Sequence, residues 1–501
     1  QSGNTNYPGD DETYIEVIDL NGTPSVPPLM PAPQIVITSN SNPNAPDWFA
    51  TRAGDANDVA ITRDGAWTVV NSNNWIHVID ATTGLVAKEF NIGDVDYSVT
   101  DPASGWNRPC TPNHAVDSVA VSNDRAVVTT ARFNTTLNSY TTWVYIVHLT
   151  AQPKPLIVLQ HEILPSGWVP FGDDVDWPHD VAITYDYQGV GQLAIVTTTH
   201  TVAAYDIESN VFRNLSFEKD DRRAYQKQVD SVEVTEKVAV VISDNYKVPG
   251  TPFWRVKVFS LSLSGGLQLP PMADYVPANP GTVESHAHDL AIDKDFDKAI
   301  VRTSADNVIV LSMLNPPLNP LLLPSPNSSD AYAYEGFYSL SSLDVFSSDS
   351  VVISPPLNGM LMAATIGGRW NTLSSRYHGA VDLIDLAAPS PTLAVQVDIA
   401  PDPASPDGCV PLDLAVSHDH TEVVIRSVDP GNSSSPTPAD LVRVSLTNLS
   451  GVINSRFGGH GTVMGLDSLA VPASGGVNTV KRVLSIEQDP ATTLGFVHVA
   501  H

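Results

Sequence analysis

The chain has 501 residues, of which 55 are Asp or Glu and 26 are Lys or Arg, so its formal net charge is −29 at pH 7. That charge repels a phosphate backbone and an anionic lipid surface, so nucleic-acid binding is not expected. Membrane insertion is not expected either, because the chain has no run of about 18 apolar residues. Hydrophobic residues make up 42% of the chain, which is enough to build a core, and two cysteines are too few for a disulfide scaffold.

The first strand-like segment lies near the N-terminus and is followed by a Pro-rich tract, Pro24 to Pro43. We predict that residues 1–50 form an arm, whose strand pairs either with the last repeat of the same chain or with a neighbouring subunit. An unpaired edge strand is a template for pairing with another molecule, so the second option leads to polymers. The apolar positions of this predicted assembly strand are Tyr14, Ile15, Val17, Ile18 and Leu20.

A repeat occupies residues 51–501, and its units are spaced by about 50 to 70 residues. Each unit starts with a short apolar run after a polar residue, and runs rich in β-branched residues follow, such as Trp67–Val70 and Trp75–Asp80. Alternation bounded by turn residues indicates antiparallel strands. We predict an all-β fold, a single β-propeller of eight blades with three or four strands each, with seven blades as the alternative. The eight units start at Asn57, Val116, His179, Val229, His288, Ser341, Leu412 and Leu466.

The segment from Asp58 to Gly93 resembles the YVTN-type, surface-layer-like β-propeller repeat, with Thr68-Val-Val-Asn in place of Tyr-Val-Thr-Asn. The resemblance is good for this unit and loose for the other seven. It implies propeller architecture and no particular activity, because such repeats serve lactonases, amine dehydrogenase subunits, binding proteins and cell-surface proteins.

Polar residues precede the innermost strand of most units, at the mouth of the predicted channel. For Asp and Ser the main interpretation is structural, because a short polar side chain there can cap backbone N–H groups between blades. Histidines in the same loops have a second interpretation, since converging imidazoles and carboxylates can ligate a divalent metal. The alternative is that they bond to loops or solvent. These histidines are His114, His179, His286, His288 and His460.

No cofactor is expected beyond such a metal or calcium. Carboxylates alternate from Asp293 to Asp297, as they do in calcium loops. This segment lacks the glycine and the distal glutamate of an EF-hand, so a solvated hairpin turn is the main interpretation and calcium is the alternative.

A long insertion is predicted from Pro355 to Gly379, between strands of the sixth blade. Long loops often carry binding residues, and an exposed Trp, Tyr and Arg group suits a protein or glycan contact. The alternative is that this group covers a blade edge. The residues of this predicted binding insertion are Trp370, Arg376, Tyr377 and His378.

Covalent modifications are a further class of prediction. Cys110 and Cys409 each follow an Asp-Pro-Ala-Ser segment, so a disulfide across one rim is an option. N-glycosylation sequons are about as frequent as chance predicts, and they lie at Asn21, Asn134, Asn214, Asn327, Asn432 and Asn448.

The functional prediction is a secreted, non-enzymatic structural or interaction protein that assembles into polymers through terminal strands. Its partners are further copies of itself, or an extracellular protein or glycan. The chain opens on Gln1, which favours an exported mature form, and it contains no nucleophile elbow, phosphate loop or dinucleotide fingerprint. No catalytic residue is therefore assigned. The alternatives are a channel-mouth enzyme (a metal-dependent oxidoreductase or a lactonase-like hydrolase) and a glycan- or protein-binding module.

Overall fold

A computed structural model describes the chain as an all-β protein. The described residues are 13–19, 35–37, 56–62, 64–72, 75–81, 83, 85–92, 119–134, 136–137, 139–164, 178–186, 189–217, 229–244, 254–275, 287–293, 298–303, 307–312, 319–324, 351–357, 360–371, 376–386, 392–399, 410–416, 422–428, 440–445, 453–457, 484–488 and 495–500. Among them, no helix is long and apolar enough to cross a membrane.

The strands of the first half of the chain fall into four antiparallel sheets, preceded by β1 (Thr13–Asp19) and β2 (Ile35–Ile37). The first sheet contains β3 (Ala56–Ile61), β4 (Trp67–Ser72), β5 (Trp75–Asp80) and β6 (Leu85–Asn91). The second contains β7 (Val119–Val121), β8 (Arg125–Asn134), β9 (Ser139–His148) and β10 (Leu156–Glu162). The third contains β11 (Pro178–Tyr185), β12 (Gly191–Thr198), β13 (Thr201–Asp206) and β14 (Val211–Phe217). The fourth contains β15 (Val229–Val234), β16 (Val238–Asp244), β17 (Trp254–Ser262), β18 (Gly266–Leu267) and β19 (Ala273–Tyr275).

The second half of the chain repeats the same strand order. The fifth sheet contains β20 (Ala287–Ile292), β21 (Lys298–Thr303), β22 (Asn307–Ser312) and β23 (Asn319–Pro324). The sixth contains β24 (Val351–Leu357), β25 (Met360–Asn371), β26 (Arg376–Asp385) and β27 (Thr392–Ile399). The seventh contains β28 (Val410–Val416), β29 (Glu422–Val428), β30 (Asp440–Ser445) and β31 (Ile453–Phe457). The closing sheet combines β32 (Leu484–Gln488) and β33 (Gly495–Ala500) with β1 and β2, in the order β2-β1-β33-β32.

The sheets form a closed ring, because the first strand of each contacts the first strand of the next. The closing sheet completes the circle, since β32 contacts both β28 and β3. Eight sheets are present among the described residues. The architecture is therefore the predicted β-propeller, with the first strand of each sheet innermost.

The core consists of aliphatic layers between neighbouring sheets. Val69 and Val78 of the first sheet pack with Val128 and Val147 of the second, and comparable clusters join each pair of sheets as far as the sixth. Because both faces of a sheet are covered, the middle strands are nearly continuous Val, Ile and Ala rather than strictly alternating. Full burial of one such side chain stabilises the fold by about 1.5–3 kcal/mol.

The antiparallel order gives the ring two distinct rims. The upper rim carries the connections into the innermost strands and the hairpins between second and third strands. The lower rim carries the turns between first and second strands and between third and fourth strands. At the lower rim Asn123 accepts a hydrogen bond from the Asp64 amide at 3.1 Å and donates its own amide to the Gly189 carbonyl at 2.9 Å. These bonds link turns of the first three sheets.

Two of the predicted strand starts lie outside the described residues and stay predictions. In the sixth sheet the innermost strand is β24, which begins at Val351, and the predicted start Ser341 lies outside the described residues. In the closing sheet the innermost described strand is β32, and the predicted start Leu466 also lies outside them.

Candidate functional site

The upper rim holds several of the described residues that the sequence singled out. The innermost strands begin there, β33 ends there and β1 starts there, because β33 runs towards this rim and β1 runs away from it. Its described side chains fall into three groups: carboxylates on the innermost strands, the His179 region, and the long hairpin of the second sheet.

Asp58 joins the first sheet to the second. The side chain is 1% exposed, its Oδ1 accepts a hydrogen bond from the Val59 amide at 2.8 Å, and its Oδ2 accepts one from the Val119 amide at 2.7 Å. Val119 opens the innermost strand of the next sheet, where its N–H would otherwise be buried without an acceptor. The predicted capping role is therefore confirmed at this position.

Asp180 makes the same connection between the third and fourth sheets. Its Oδ1 accepts a hydrogen bond from the Val181 amide at 2.7 Å, and its Oδ2 accepts one from the Val232 amide at 2.8 Å. Charge-assisted bonds of this kind are roughly twice as strong as neutral ones. We call a carboxylate that joins two sheets in this way a latch, and the two latches described here are Asp58 and Asp180.

Glu233 lies on the innermost strand β15, between the strands that carry Asp180 and Asp289. Burial, together with the negative charges of these two aspartates, raises the pKa of Glu233 well above its usual value. Asp289 is buried and accepts a hydrogen bond from the Leu290 amide at 2.8 Å. The wall of the channel on this side therefore holds three carboxyl groups, and the charges of Asp180 and Asp289 disfavour the ionised form of Glu233.

His179 is buried at the start of β11, and its Nε2 lies 3.2 Å from the Thr199 hydroxyl. Thr199 belongs to the short hairpin of the same sheet, so this contact is internal to the sheet. Within the described ranges, no three His, Cys, Asp or Glu side chains are placed to hold a metal ion. His288 lies in β20 with only its backbone described, and His114, His286 and His460 lie outside the described residues. The metal site stays a prediction.

The hairpin β8–β9 carries a cluster that the sequence did not single out. The Arg132 guanidinium lies over the Trp143 ring, 4.6 Å from its centroid, and Nη1 donates to the Tyr145 hydroxyl at 3.2 Å. That hydroxyl donates to the Ile92 carbonyl at 2.7 Å, and burial raises the pKa of Tyr145, so the phenol stays a donor at neutral pH. In the described part of the chain, no carboxylate forms an ion pair with Arg132.

The end of this hairpin is fixed by Asn134. Its Oδ1 accepts hydrogen bonds from the Thr136 amide at 2.9 Å and the Leu137 amide at 3.1 Å, which close the turn. Its Nδ2 donates to Glu162 Oε1 at 2.7 Å, and the same oxygen accepts from the Thr141 hydroxyl at 2.5 Å. Asn134, Thr141 and Glu162 therefore form one hydrogen-bonded group at the end of the hairpin.

The predicted binding insertion is not a loop. Trp370 lies in β25, and Arg376, Tyr377 and His378 lie in β26, so these residues form the end of a long hairpin of the sixth sheet. Trp370 pairs with Tyr377 across the two strands. Gly367 and Gly368, whose residue type has a low strand propensity, both continue the ladder.

The predicted assembly strand is placed in the closing sheet. β1 contains Tyr14, Ile15, Val17 and Ile18, while Leu20 lies outside the described residues. The strand pairs with β33 on one side and with β2 on the other. In this single chain it closes the ring.

Of the remaining predicted sites, some lie among the described residues and some lie outside them. Asp293 is buried and accepts a hydrogen bond from the Lys298 amide at the turn between β20 and β21. Asn214 donates from Nδ2 to the Leu267 carbonyl at 2.8 Å and accepts from the Leu267 amide at 3.0 Å, so its amide joins the third sheet to the fourth. The other predicted modification sites lie outside the described residues, namely Cys110, Cys409, Asn21, Asn327, Asn432 and Asn448.

Comparisons with known proteins add similarity of fold. No family model and no curated relative matches the chain. The crystal structure of a mitotic checkpoint complex is similar with a TM-score of 0.43 and 12% identity, over 78% of this chain and 90% of that chain. Sqt1 of Saccharomyces cerevisiae has a TM-score of 0.42 and 10% identity, over 82% of this chain and 87% of its own.

The β-propeller domain of Cps50 (Swd1) from Myceliophteria thermophila has a TM-score of 0.33 and 12% identity, over 54% of this chain and 73% of its own. These similarities are too low to carry a function. The propeller assignment depends on the chain's own sheet order and closure, and the YVTN-type identity of residues 58–93 stays a prediction.

Proposed function

We propose that this protein is a non-enzymatic extracellular scaffold that binds proteins, first of all further copies of itself, through exchange of β1. The observation that carries the proposal is the closing sheet, where β1 and β33 come from opposite ends of the chain and pair from Ile15↔Ala500 to Asp19↔Phe496. Every other sheet is made of strands that follow one another in sequence.

Exchange of β1 changes no bond of the closing sheet. The same residues pair whether β1 comes from its own chain or from a second copy, which is the condition for domain swapping. Residues 38–55 separate β2 from β3, and a segment of that length spans up to about 60 Å when extended. An arm donated from one copy to the next, and so on, gives an open chain of copies rather than a closed dimer.

The chemistry of the upper rim supports a non-enzymatic role. The aspartates that line it act as latches on backbone N–H groups, and His179 is in contact with Thr199. An extracellular location is supported by the net charge of −29 and by a low Lys and Arg content. Highly acidic surfaces keep proteins soluble and do not attract anionic membranes.

A pair of cysteines tests strand exchange directly. Val17 and His498 are partners across the β1–β33 ladder, and Cα atoms of such partners lie about 4.5–5.5 Å apart, within the range of a disulfide. We would oxidise Val17→Cys/His498→Cys in a background where Cys110 and Cys409 are Ser, and run it under non-reducing conditions. The proposal expects a ladder of covalent multimers that grows with protein concentration.

The single variant Val17→Cys in the same background is the control, because it can form no product larger than a dimer. If oxidation yields only a covalent monomer at every concentration, β1 closes its own ring and the exchange proposal is wrong.

A further inference from the structure

The outer edge of the second sheet differs from the outer edges of its neighbours. β10 is the outermost strand of that sheet, and an exposed edge strand offers its backbone groups to any further strand. Residues 156–164 read Leu-Ile-Val-Leu-Gln-His-Glu-Ile-Leu, without lysine, arginine or proline. Leu156 and Leu164, at the two ends of this segment, are 41% and 45% exposed. The edge is therefore apolar along most of its length.

The outer strands of the first, third and fourth sheets are each protected. β6 carries an exposed lysine, Lys88, at its centre. β14 carries Arg213, which forms an ion pair with Asp206. In the fourth sheet the outer strand is interrupted, because Pro270 and Pro271 separate β18 from β19. Charged side chains and prolines on an edge discourage pairing with another chain. Among these four sheets, the second is the one that is open to such pairing.

The backbone of β10 presents a regular edge. The register between β10 and β9 shifts once, before Leu159, and is regular from there to Glu162. The Ile163 amide donates to the Thr142 carbonyl of β9 at 2.9 Å. Backbone groups point alternately to the two sides of an antiparallel strand. The N–H and C=O groups of Gln160 and Glu162 therefore point away from β9, towards the outside of the ring.

Side chains hold this edge to the body of the protein. His161 Nδ1 lies 3.0 Å from the Tyr205 hydroxyl, and the His161 ring stacks on Phe212 of the third sheet with centroids 4.8 Å apart. On the other face, Glu162 Oε1 accepts a hydrogen bond from Asn134 Nδ2 at 2.7 Å. A strand that is already fixed in an extended conformation loses little entropy when a second strand pairs with it.

We propose that β10 pairs antiparallel with β10 of a second copy, around a two-fold axis at His161. A two-fold axis uses the same edge in both copies, so this contact gives a closed dimer rather than an open chain. The proposal goes beyond exchange of β1, because it uses a different strand and does not depend on that exchange.

The sequence of the edge supports this occupant and this register. The axis at His161 places Gln160 of one copy opposite Glu162 of the other, where the amide can donate to the carboxylate. Each such residue pair also exchanges two backbone hydrogen bonds. An axis at Glu162 would place two carboxylates opposite each other, which is unfavourable. An axis at Gln160 would leave a regular ladder of only residues 159–161 before the register shift.

The centre of the proposed contact carries no charge. Burial lowers the pKa of His161, although the charge of Glu162 acts in the opposite direction, so both imidazoles are neutral at pH 7. At each end of the ladder the exposed Leu164 lies opposite Val158 of the second copy. Edge, axis and ends are therefore compatible with a second copy of the same strand.

The test is sedimentation velocity of the full chain. The reference is the oxidised, covalently monomeric fraction of Val17→Cys/His498→Cys, in which strand exchange cannot occur. We expect this reference to form dimers and no larger species. In the same background, Gln160→Pro removes an N–H that points away from β9, a position where an edge strand tolerates proline, and should abolish the dimer. The control, Gln160→Ala, keeps that N–H and should dimerise.

Charge at the same position tests the register without a change of backbone. Gln160→Glu places like charges opposite each other at two symmetric positions and should weaken the dimer by about threefold to tenfold. Gln160→Lys places opposite charges there and should strengthen it by a similar factor. Gln160 is exposed, so thermal unfolding of the monomers should show that every variant except Gln160→Pro keeps the stability of the reference.

Hydrogen exchange locates the contact. The amides of Gln160 and Glu162 should exchange more slowly as the protein concentration rises. A reference that stays monomeric at all concentrations overturns the inference, and so do dimers that Gln160→Pro leaves unchanged. Protection of these amides only after addition of a peptide of residues 13–19 also overturns it, because the edge would then receive β1 of another copy. A disulfide ladder with a monomeric reference leaves strand exchange alone, and a dimeric reference without a ladder leaves edge pairing alone.

Discussion

The joint between the third and fourth sheets and the joint that closes the ring are built differently. At the first, Asp180 holds the Val181 and Val232 amides with one carboxylate, over an aliphatic layer shared by both sheets. At the second, the ring is completed within a sheet, by the backbone ladder between β1 and β33. A latch depends on one side chain in one place. A ladder between chain ends is formed equally well by another copy, so the closing joint is the one suited to assembly.

The largest effect should follow removal of the closing joint. Deletion of residues 1–37 removes β1 and β2 and leaves β32 and β33 as a two-stranded sheet, which is marginal by itself. We expect the loss of a large part of the roughly 5–15 kcal/mol that stabilises a typical domain. Denaturant unfolding measures this loss, and deletion of residues 1–12, which precede β1, is the control. Equal midpoints for the two deletions would show that the terminal strands contribute little to closure.

Substitution of the latch Asp180 should have the next largest effect on the free energy of unfolding. Asp180→Ala leaves two buried amides without their acceptor, at a cost of roughly 2–5 kcal/mol. Asp180→Asn keeps one acceptor oxygen and should lose about half as much. The urea unfolding midpoint should be highest for the wild type, lower for Asp180→Asn and lowest for Asp180→Ala. A variant Asp180→Ala as stable as the wild type would mean that water replaces the carboxylate at this joint.

Two glycines at the lower rim differ in the space around their Cβ positions, which separates the cost of backbone strain from the cost of crowding. Gly189 has φ of +78°, and a Cβ there would lie 2.5 Å from Asn123 Nδ2, whereas Gly65 has φ of +67° with no atom within 4 Å of its Cβ position. Gly65→Ala should cost about 1–2 kcal/mol from backbone strain, and Gly189→Ala about 1–3 kcal/mol more, because Asn123 must move. Thermal unfolding of both variants measures the difference. Equal losses would show that Asn123 moves aside freely.

Substitution of Glu233 should have the smallest effect on stability, and that effect should depend on pH. Its pKa is raised in the folded protein by burial and by Asp180 and Asp289, so the folded state holds this proton more tightly than the unfolded state. The resulting stability is fully present below the ordinary pKa of 4.5 and is lost as pH rises from there towards the raised value. Glu233→Gln should therefore be more stable than wild type at pH 7 and equal to it near pH 4. Urea titrations at several pH values test this, and parallel curves would contradict it.

The sequence predicted the capping aspartates because their chemistry is local. An Asp directly before a buried strand has few roles, and the hydrogen bonds of Asp58 and Asp180 confirm the predicted one. The sequence of the predicted insertion gives little sign of strands, because Gly367 and Gly368 have a low strand propensity. In the structure their partners Ala380 and Gly379 continue the ladder.

Other features of the structure could not be predicted from the neighbouring residues in the sequence. Asn214 has the pattern of a glycosylation site, yet its amide bonds both backbone groups of Leu267 in the next sheet. Nothing near residue 214 in the chain predicts that neighbour. The Arg132 cluster was missed for a similar reason. Trp143 and Tyr145 approach Arg132 through the pairing of β8 with β9, and Ile92 reaches Tyr145 only when the first two sheets pack together.

The sequence by itself determined the repeat, the strand-rich class and the acidic charge, because these depend on composition and on spacing along the chain. Only the tertiary structure decided which strands close the ring, which rim each described turn occupies, and which backbone amides Asp58 and Asp180 hold. Strand order and ring position depend on contacts between residues that are distant in sequence, so no local pattern contains them.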